Sequence, residues 1–184
     1  NTEVFVLDDG WFGERNDDTT SLGDWWVNTK KIDLNKIIET CHRNNIKFGI
    51  WLEPEMISFN SKLYQEHPEY ALGLPGINIS LGRHQLVLDM TNKEAIENVY
   101  TQICDLLDNY KIDFNRCLSE VYSATLNVKH QGEVYHRFME GSYHLYEMLV
   151  NRYPNILFEH CASGGGRFDM GMLYYCPQIQ ASDS

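Results

Sequence analysis

No stretch of the chain approaches about 18 consecutive apolar residues, the length a helix needs to cross a bilayer, so no membrane partner is expected. Basic residues are scarce, 15 against 26 acidic ones for a net charge of −11, which excludes a nucleic-acid partner that needs concentrated Lys and Arg. The five cysteines, Cys41, Cys104, Cys117, Cys161 and Cys176, show no CxxC spacing. Their odd number does not suggest a disulfide framework, and a reducing, cytoplasmic setting is expected. The seven histidines form no HExxH or other paired ligand spacing, so no metal site is expected. Nothing fits GxGxxG or GxxxxGK[ST] either. Gly164-Gly-Gly166 follows a strand-like run but ends in Arg167, so no nucleotide cofactor is expected. Low-complexity tracts, Pro- or Gly/Ser-rich linkers and internal repeats are also missing. At 184 residues the chain holds one domain with a real core, but a complete (β/α)8 barrel takes roughly 250 residues. It starts at Asn1 rather than Met, Asn1–Leu7 carries no basic, apolar leader pattern, and it reads as a piece of something longer.

What the chain does have is alternation. Short apolar runs predict buried strands at Glu3–Leu7, Lys47–Leu52, Gln85–Leu88, Tyr110–Phe114, Ile156–Glu159 and Gln178–Ser182. Between them, Asp33–Asn44 puts Leu34, Ile37, Ile38 and Cys41 on one helical face. Thr91, with Glu94 three residues on, predicts the cap of a second helix that turns Ile96, Val99, Tyr100, Ile103, Leu106 and Leu107 inward. A third helix, Gly132–Tyr153, is stopped by Pro154. Strand–helix alternation with nearly all-apolar strands implies parallel strands covered by helices, either an open doubly wound sheet or a β/α barrel.

The polar residues favour the barrel. Leu7 is followed by Asp8-Asp9, Leu52 by Glu53-Pro-Glu55, Leu88 by Asp89, Ile112 by Asp113, Phe158 by Glu159 and Ser182 by Asp183. One such Asp is an ordinary helix cap, but a series of them fits the mouth on which all barrel strands converge. Trp11, Phe12, Trp25, Trp26 and Trp51 lie near these acids. Carboxylates that accept from hydroxyls, beside flat rings that stack on C–H faces, suit a sugar. Clustered acids also suit Mg2+ or Ca2+, but there is no EF-hand spacing and no cationic cluster to hold a phosphate. Trp25 and Trp26 fit rim packing as well as substrate contact, and Glu53 and Glu55 fit orienting or structural roles.

These segments resemble a known family. Phe5-Val-Leu-Asp-Asp-Gly-Trp-Phe12, Ser21-Leu-Gly-Asp-Trp25, Trp51-Leu-Glu-Pro-Glu-Met56, Gly82-Arg-His-Gln-Leu-Val-Leu-Asp89 and Lys111-Ile-Asp-Phe-Asn-Arg116 are similar to motifs of the retaining α-galactosidases (melibiases) of glycoside hydrolase family 36. So are Glu120-Val-Tyr-Ser123, Cys161-Ala-Ser-Gly-Gly-Gly-Arg-Phe-Asp169 and Ser182-Asp183. The resemblance runs in order through almost the whole chain. It implies an α/β fold, a partial (β/α)8 TIM barrel from about strand 2 to strand 6. Residues 1–184 would form a single incomplete catalytic domain, without the N-terminal β-sandwich and C-terminal β-domain of the family.

The resemblance also implies roles. Asp113 matches the nucleophile and Asp183 the general acid/base. Asp8, Asp9, Trp51, Arg83, Lys111, Asn115, Cys161 and Gly164 match substrate-binding positions. The implied partner is an α-galactoside oligosaccharide, with no cofactor and no metal, and homo-oligomers are possible for full-length members. Strand geometry is consistent with these roles, since Lys111, Asp113 and Asn115 share one side of an extended chain. A lysine beside Asp113 favours the carboxylate a nucleophile needs, whereas Asp183 needs surroundings that keep it protonated. Two departures from the family stand out. Ile112 replaces a tryptophan, and the stretch between the helix and Lys111 is about five residues short. A second gap of about two residues falls near Lys31–Leu34. Asp113 then matches either the nucleophile, without a gap, or the Asp that opens the strand. The implied activity is hydrolysis of melibiose- or raffinose-type α-galactosides. The alternatives are a non-catalytic remnant with weak galactose binding, or a raffinose-synthase-like galactosyl transferase.

Overall fold

The structure, a computed structural model, describes residues 2–73, 84–110, 112, 114–116, 132–161 and 169–180. In chain order the elements are β1 (Val4–Leu7), α1 (Leu34–Arg43), β2 (Lys47–Trp51), β3 (Met56–Ile57), α2 (Lys62–Glu66), β4 (Leu86–Val87) and α3 (Lys93–Asn109). They are followed by β5 (Phe114–Arg116), α4 (Val134–Arg152), β6 (Leu157–Cys161), α5 (Met170–Tyr175) and β7 (Gln178–Gln180). Five strands form one all-parallel sheet in the order β1-β2-β5-β6-β7. A parallel neighbour cannot be reached by a tight turn, so each step in that order carries a helix, α1, α3, α4 and α5 in turn. Among the described residues no helix is long and apolar enough to cross a membrane.

Three expectations need correction. The run Gln85–Leu88 is not a member of the parallel sheet. Its Leu86 and Val87 pair antiparallel with Ile57 and Met56 in a separate two-stranded ribbon. A short apolar run does not reveal its partner, and here the long helix needed to re-enter the sheet comes after the run, as α3. The strand expected at Tyr110–Phe114 lies further on, at Phe114–Arg116, because α3 continues to Asn109 and Tyr110 is its C-cap, donating its N–H to the Leu106 carbonyl. The expected N-cap Thr91 is engaged elsewhere. Its N–H and hydroxyl both reach an Asp89 carboxylate oxygen, at 2.9 and 2.6 Å, so Asn92 caps α3 through the Glu94 and Ala95 amides.

The core lies between the sheet and its helices. Phe48, Ile50 and Phe158 from the sheet meet Val99, Ile103 and Leu106 of α3 and Leu145 and Leu149 of α4, all buried. Val4, Phe5 and Val6 were expected to be buried but are exposed, because β1 pairs only with β2 among the described residues. Helices α3 and α4 are fastened at their C-terminal ends. The Tyr153 hydroxyl donates to Asp108 at 2.7 Å, and the Arg152 guanidinium donates to the other Asp108 oxygen at 2.7 Å. Those two hydrogen bonds hold the Asp108 carboxyl below the usual carboxylate range.

Gly141 lets α4 approach this close. A Cβ there would overlap the Met90 carbonyl oxygen. Alanine gains about 1 kcal/mol over glycine in a helix, but a clash with backbone costs about 1–3 kcal/mol or more, so the clash dominates. Gly141→Ala is expected to lower the midpoint of urea unfolding, whereas Gly132→Ala, at a position with no atom nearby among the described residues, leaves it in place.

Burial, reinforced by the Glu55 charge, pushes the Cys176 thiol up to about 12. The unfolded chain releases that proton near 9, so between pH 9 and 12 the folded state binds the extra proton and stability falls as pH rises. The unfolding free energy of Cys176→Ala should fall less steeply than that of the parent in that window.

Candidate active site

The C-terminal ends of β1 and β2 build the part of the site that the described residues include. The two strands pair through Leu7 and Ile50, so the next residues, Asp8 and Trp51, come level at the same edge of the sheet. Trp51 is level with Arg116 of β5, and Asn115 with Ile50, which places Asn115 one rung below Trp51. Cys161 ends β6, buried, and pairs with Gln180 of β7. Of the expected substrate contacts, Asp8, Asp9, Trp51, Asn115 and Cys161 are therefore positioned along one sheet. Asp113, Asp183, Arg83, Lys111 and Gly164 lie outside the described residues. In the chain, Asp113 precedes β5 rather than finishing it.

Asp89 does not belong to this edge. It is fully buried beside the antiparallel ribbon, where its carboxylate holds Thr91. Glu159 does not finish its strand as expected, since β6 runs on to Cys161 and Glu159 is an inner rung paired with Gln178. The carboxylates that directly follow described parallel strands are thus Asp8 after β1 and, two residues past β2, Glu53.

Asp9 is held in a way the sequence reading missed. Arg15 donates to both of its oxygens, Nε to Oδ1 at 2.9 Å and Nη2 to Oδ2 at 2.8 Å, a bidentate fork of the kind that fixes both position and orientation. The guanidinium is only 4% exposed and is itself anchored by the Thr20 carbonyl at 3.0 Å and by Asp18 at 3.3 Å. Asp8, in turn, accepts the Asp9 amide at 2.8 Å. The signal for Arg15 was in the sequence, as the one cation of the stretch Asp8–Asp18, which also carries Asp9, Glu14 and Asp17. The Lys31 ammonium closes the same loop by donating to the Gly10 and Arg15 carbonyls.

The aromatic residues divide into two roles. Trp11, Phe12 and Trp25 are buried and form a core cluster under Trp51, with Phe12 stacked on Trp51 at 6.1 Å and Trp25 edge-on to it at 6.4 Å. The Trp11 indole N–H donates to the Trp51 carbonyl at 2.9 Å and ties the first loop to the end of β2. They are packing residues, which corrects the expectation that Trp11 and Phe12 face a sugar and decides the open alternative for Trp25 in favour of packing. Trp51 is partly exposed and Trp26 is 45% exposed. Asp24 is structural as well. Its two oxygens accept the Lys62 and Leu63 amides at 2.9 and 3.0 Å and cap α2, while burial pushes its carboxyl up against those hydrogen bonds.

The parallel β/α units bring Asp8, Trp51 and Cys161 to one sheet edge, and the chain belongs to the melibiase family, whose model matches residues 1–184. It is 52% identical over 189 residues to alpha-galactosidase 1 of Pediococcus pentosaceus and 50% identical to alpha-galactosidase Mel36A of Lactobacillus acidophilus. Each match covers 99% of this chain and 26% of the relative. Among solved structures, the alpha-galactosidase of Lactobacillus brevis superposes with a TM-score of 0.92 at 45% identity, covering 98% of this chain and 25% of that one. A variant of the GH36 alpha-galactosidase AgaA of Geobacillus stearothermophilus, in complex with raffinose, gives 0.92 at 42% identity, covering 98% and 26%. The chain thus spans about a quarter of the length of the relatives it matches. The 189 aligned positions exceed its 184 residues by five, so at least five positions of the first relative have no counterpart here.

Removing the fork tests its weight. Arg15→Ala leaves Asp9 without either guanidinium contact and should cost about 1–3 kcal/mol in urea unfolding, discounted toward the lower end because Asp9 is partly exposed. Asp18→Ala, which takes the 3.3 Å contact from Arg15 but leaves both Asp9 contacts in place, should cost less.

Proposed function

We propose that the protein hydrolyses terminal non-reducing α-D-galactosides of the melibiose and raffinose type with retention of configuration. The observation that carries this reading is the family match over residues 1–184 combined with Asp8, Asp9 and Trp51 at one sheet edge. Relatives named alpha-galactosidases, one of them solved with raffinose and another variant with stachyose, support the substrate class. The five parallel strands correspond, in this reading, to about strands 2 to 6 of a (β/α)8 barrel. A reducing, cytoplasmic location agrees with Cys41, Cys104, Cys161 and Cys176, which form no disulfides.

In the proposed mechanism the Asp113 carboxylate attacks the anomeric carbon as Asp183 donates its proton to the leaving glycosidic oxygen. A covalent galactosyl–Asp113 intermediate forms and the aglycone leaves. Asp183, now a carboxylate, takes a proton from water, which attacks the anomeric carbon, releases Asp113 and yields galactose of the original configuration. This geometry needs the two carboxyl groups about 5–5.5 Å apart. Asp8 and Asp9 accept sugar hydroxyls, and the fork from Arg15 keeps Asp9 aligned for that task. Trp51 stacks on the ring face. Arg83, Lys111, Asn115, Cys161 and Gly164 complete the contacts, and Lys111 keeps Asp113 ionised.

One observation favours a second reading, a non-catalytic galactose-binding remnant. At least five positions of the first relative have no counterpart here, and this reading puts most of that loss just before Lys111, next to the proposed nucleophile, and the rest near Lys31–Leu34. Incubation with p-nitrophenyl α-galactoside separates the two. Hydrolysis should release p-nitrophenol and first give α-galactose by NMR. Asp183→Ala should lower kcat by about 10²–10⁴-fold, and Asp113→Ala should abolish turnover. A parent chain that binds galactose without turnover establishes the remnant.

A further inference from the structure

A second pocket lies away from the Asp8–Trp51 edge, between α1, α3 and the loop that carries Trp25 and Trp26. It has a volume of about 420 Å³, within the range of small-ligand sites and enough for a pyranose unit with room beside it. One side is aromatic. Trp26 is 45% exposed, a large ring left open on a surface where its neighbour Trp25 is buried. The other side is polar, formed by Asn35 of α1 and by Gln102, Asp105 and Asn109 of α3, with Tyr110 at the end.

The hydrogen-bond assignments show which of these groups remain available. Gln102 is spent on the protein, since its Oε1 accepts the Trp25 amide at 2.9 Å and its Nε2 donates to the Gly23 carbonyl and to Asn98. It thereby fixes the Trp25–Trp26 loop against α3 and makes this wall of the pocket rigid. Asn109 uses its amide N–H on the Asp105 backbone carbonyl at 2.6 Å, which leaves its Oδ1 open. Among the described residues the Asn35 amide, the Asp105 carboxylate and the Tyr110 hydroxyl make no side-chain hydrogen bond. The Trp25 Nε1–H, buried, meets no acceptor there. The pocket therefore combines an open indole face with the Asn35 amide, the Asn109 Oδ1, a carboxylate and a phenol that make no side-chain hydrogen bond among the described residues.

We infer that this pocket is a second saccharide-binding site, distinct from the proposed catalytic one, which stacks a pyranose ring on Trp26 and bonds its hydroxyls through Asn35, Asp105 and Asn109. Neutral hydroxyls can both donate and accept, and so match the mixed set of amide donors, amide carbonyls and carboxylate. An ammonium ligand would find only the single charge of Asp105 and would leave the amide N–H groups without acceptors. The site does not depend on turnover. Trp25, which lines this pocket, also packs edge-on to Trp51 at 6.4 Å.

The chain contains four tryptophans, so biosynthetic labelling with 5-fluorotryptophan gives four fluorine resonances, with that of Trp26 identified by Trp26→Phe. Titration with raffinose is expected to move the Trp26 resonance saturably. In the double variant Asn35→Ala/Asp105→Ala, whose side chains are exposed and carry no contact the fold needs, that response should weaken by about tenfold or more, the worth of one charge-assisted hydrogen bond. The Trp51 resonance reports the proposed catalytic site independently. If Trp51 moves and Trp26 stays fixed, the second site is overturned and the galactosidase reading stands. Movement of Trp26 alone supports the second site and counts against the galactosidase reading. A Trp26 response that is unchanged in the double variant, or that follows choline chloride and not raffinose, overturns the assignment.

Discussion

Two parallel strands side by side cannot be joined by a short turn, and the rest of this molecule follows from that constraint. Each strand must be left at its C-terminal end, carried back by a helix on the outside, and re-entered at the start of its neighbour. Every excursion therefore begins at the same edge of the sheet, and the residues that open those excursions meet there. Asp8 and Trp51 are far apart in sequence, yet they come level because the Leu7–Ile50 rung leaves no other arrangement. The loop that follows β1 is long enough to carry its own core, with Trp11, Phe12 and Trp25 packed beneath Trp51, so the site stands on an aromatic base rather than on a flexible loop.

Charge is handled with similar economy. The loop after β1 is strongly acidic, and unpaired carboxylates at close quarters would repel one another. Arg15 resolves this from below. Its guanidinium is buried, satisfied by Asp9, Asp18 and the Thr20 carbonyl, and spreads one positive charge under the acidic rim. Asp8 stays exposed beside it. A planar fork suits this position better than a lysine, because it fixes the plane of the Asp9 carboxylate as well as its place.

Much of this was legible in the sequence. The periodicity of Leu34, Ile38 and Cys41 marked α1, and the apolar spacing from Ile96 to Leu107 marked α3, because one-sided burial leaves a period that survives in composition. The motifs that pointed to a sugar hydrolase pointed to the family that the comparisons show. What could not be read was partnership. Gln85–Leu88 has the composition of a sheet strand, but its partner is Met56–Ile57, and no local pattern distinguishes a neighbour in a barrel from a neighbour in a side ribbon. The aromatic residues were misjudged for a related reason. Tryptophan serves equally as a core filler and as a sugar platform, and only burial tells Trp11 and Trp25 from Trp51 and Trp26. Arg15 escaped notice because its value lies in a three-dimensional fork that a count of charges does not reveal.

The latch at the ends of α3 and α4 bears on how this family tolerates changes in length. With Asp108 held by both Tyr153 and Arg152, the last turn of α3 is anchored to a second helix. Residues lost just downstream cannot be recovered by unwinding that turn. A change in length just downstream would therefore fall in sequence between Tyr110 and β5, which begins at Phe114. The latch is thus a fixed post that holds the C-terminal ends of the two helices at one spacing.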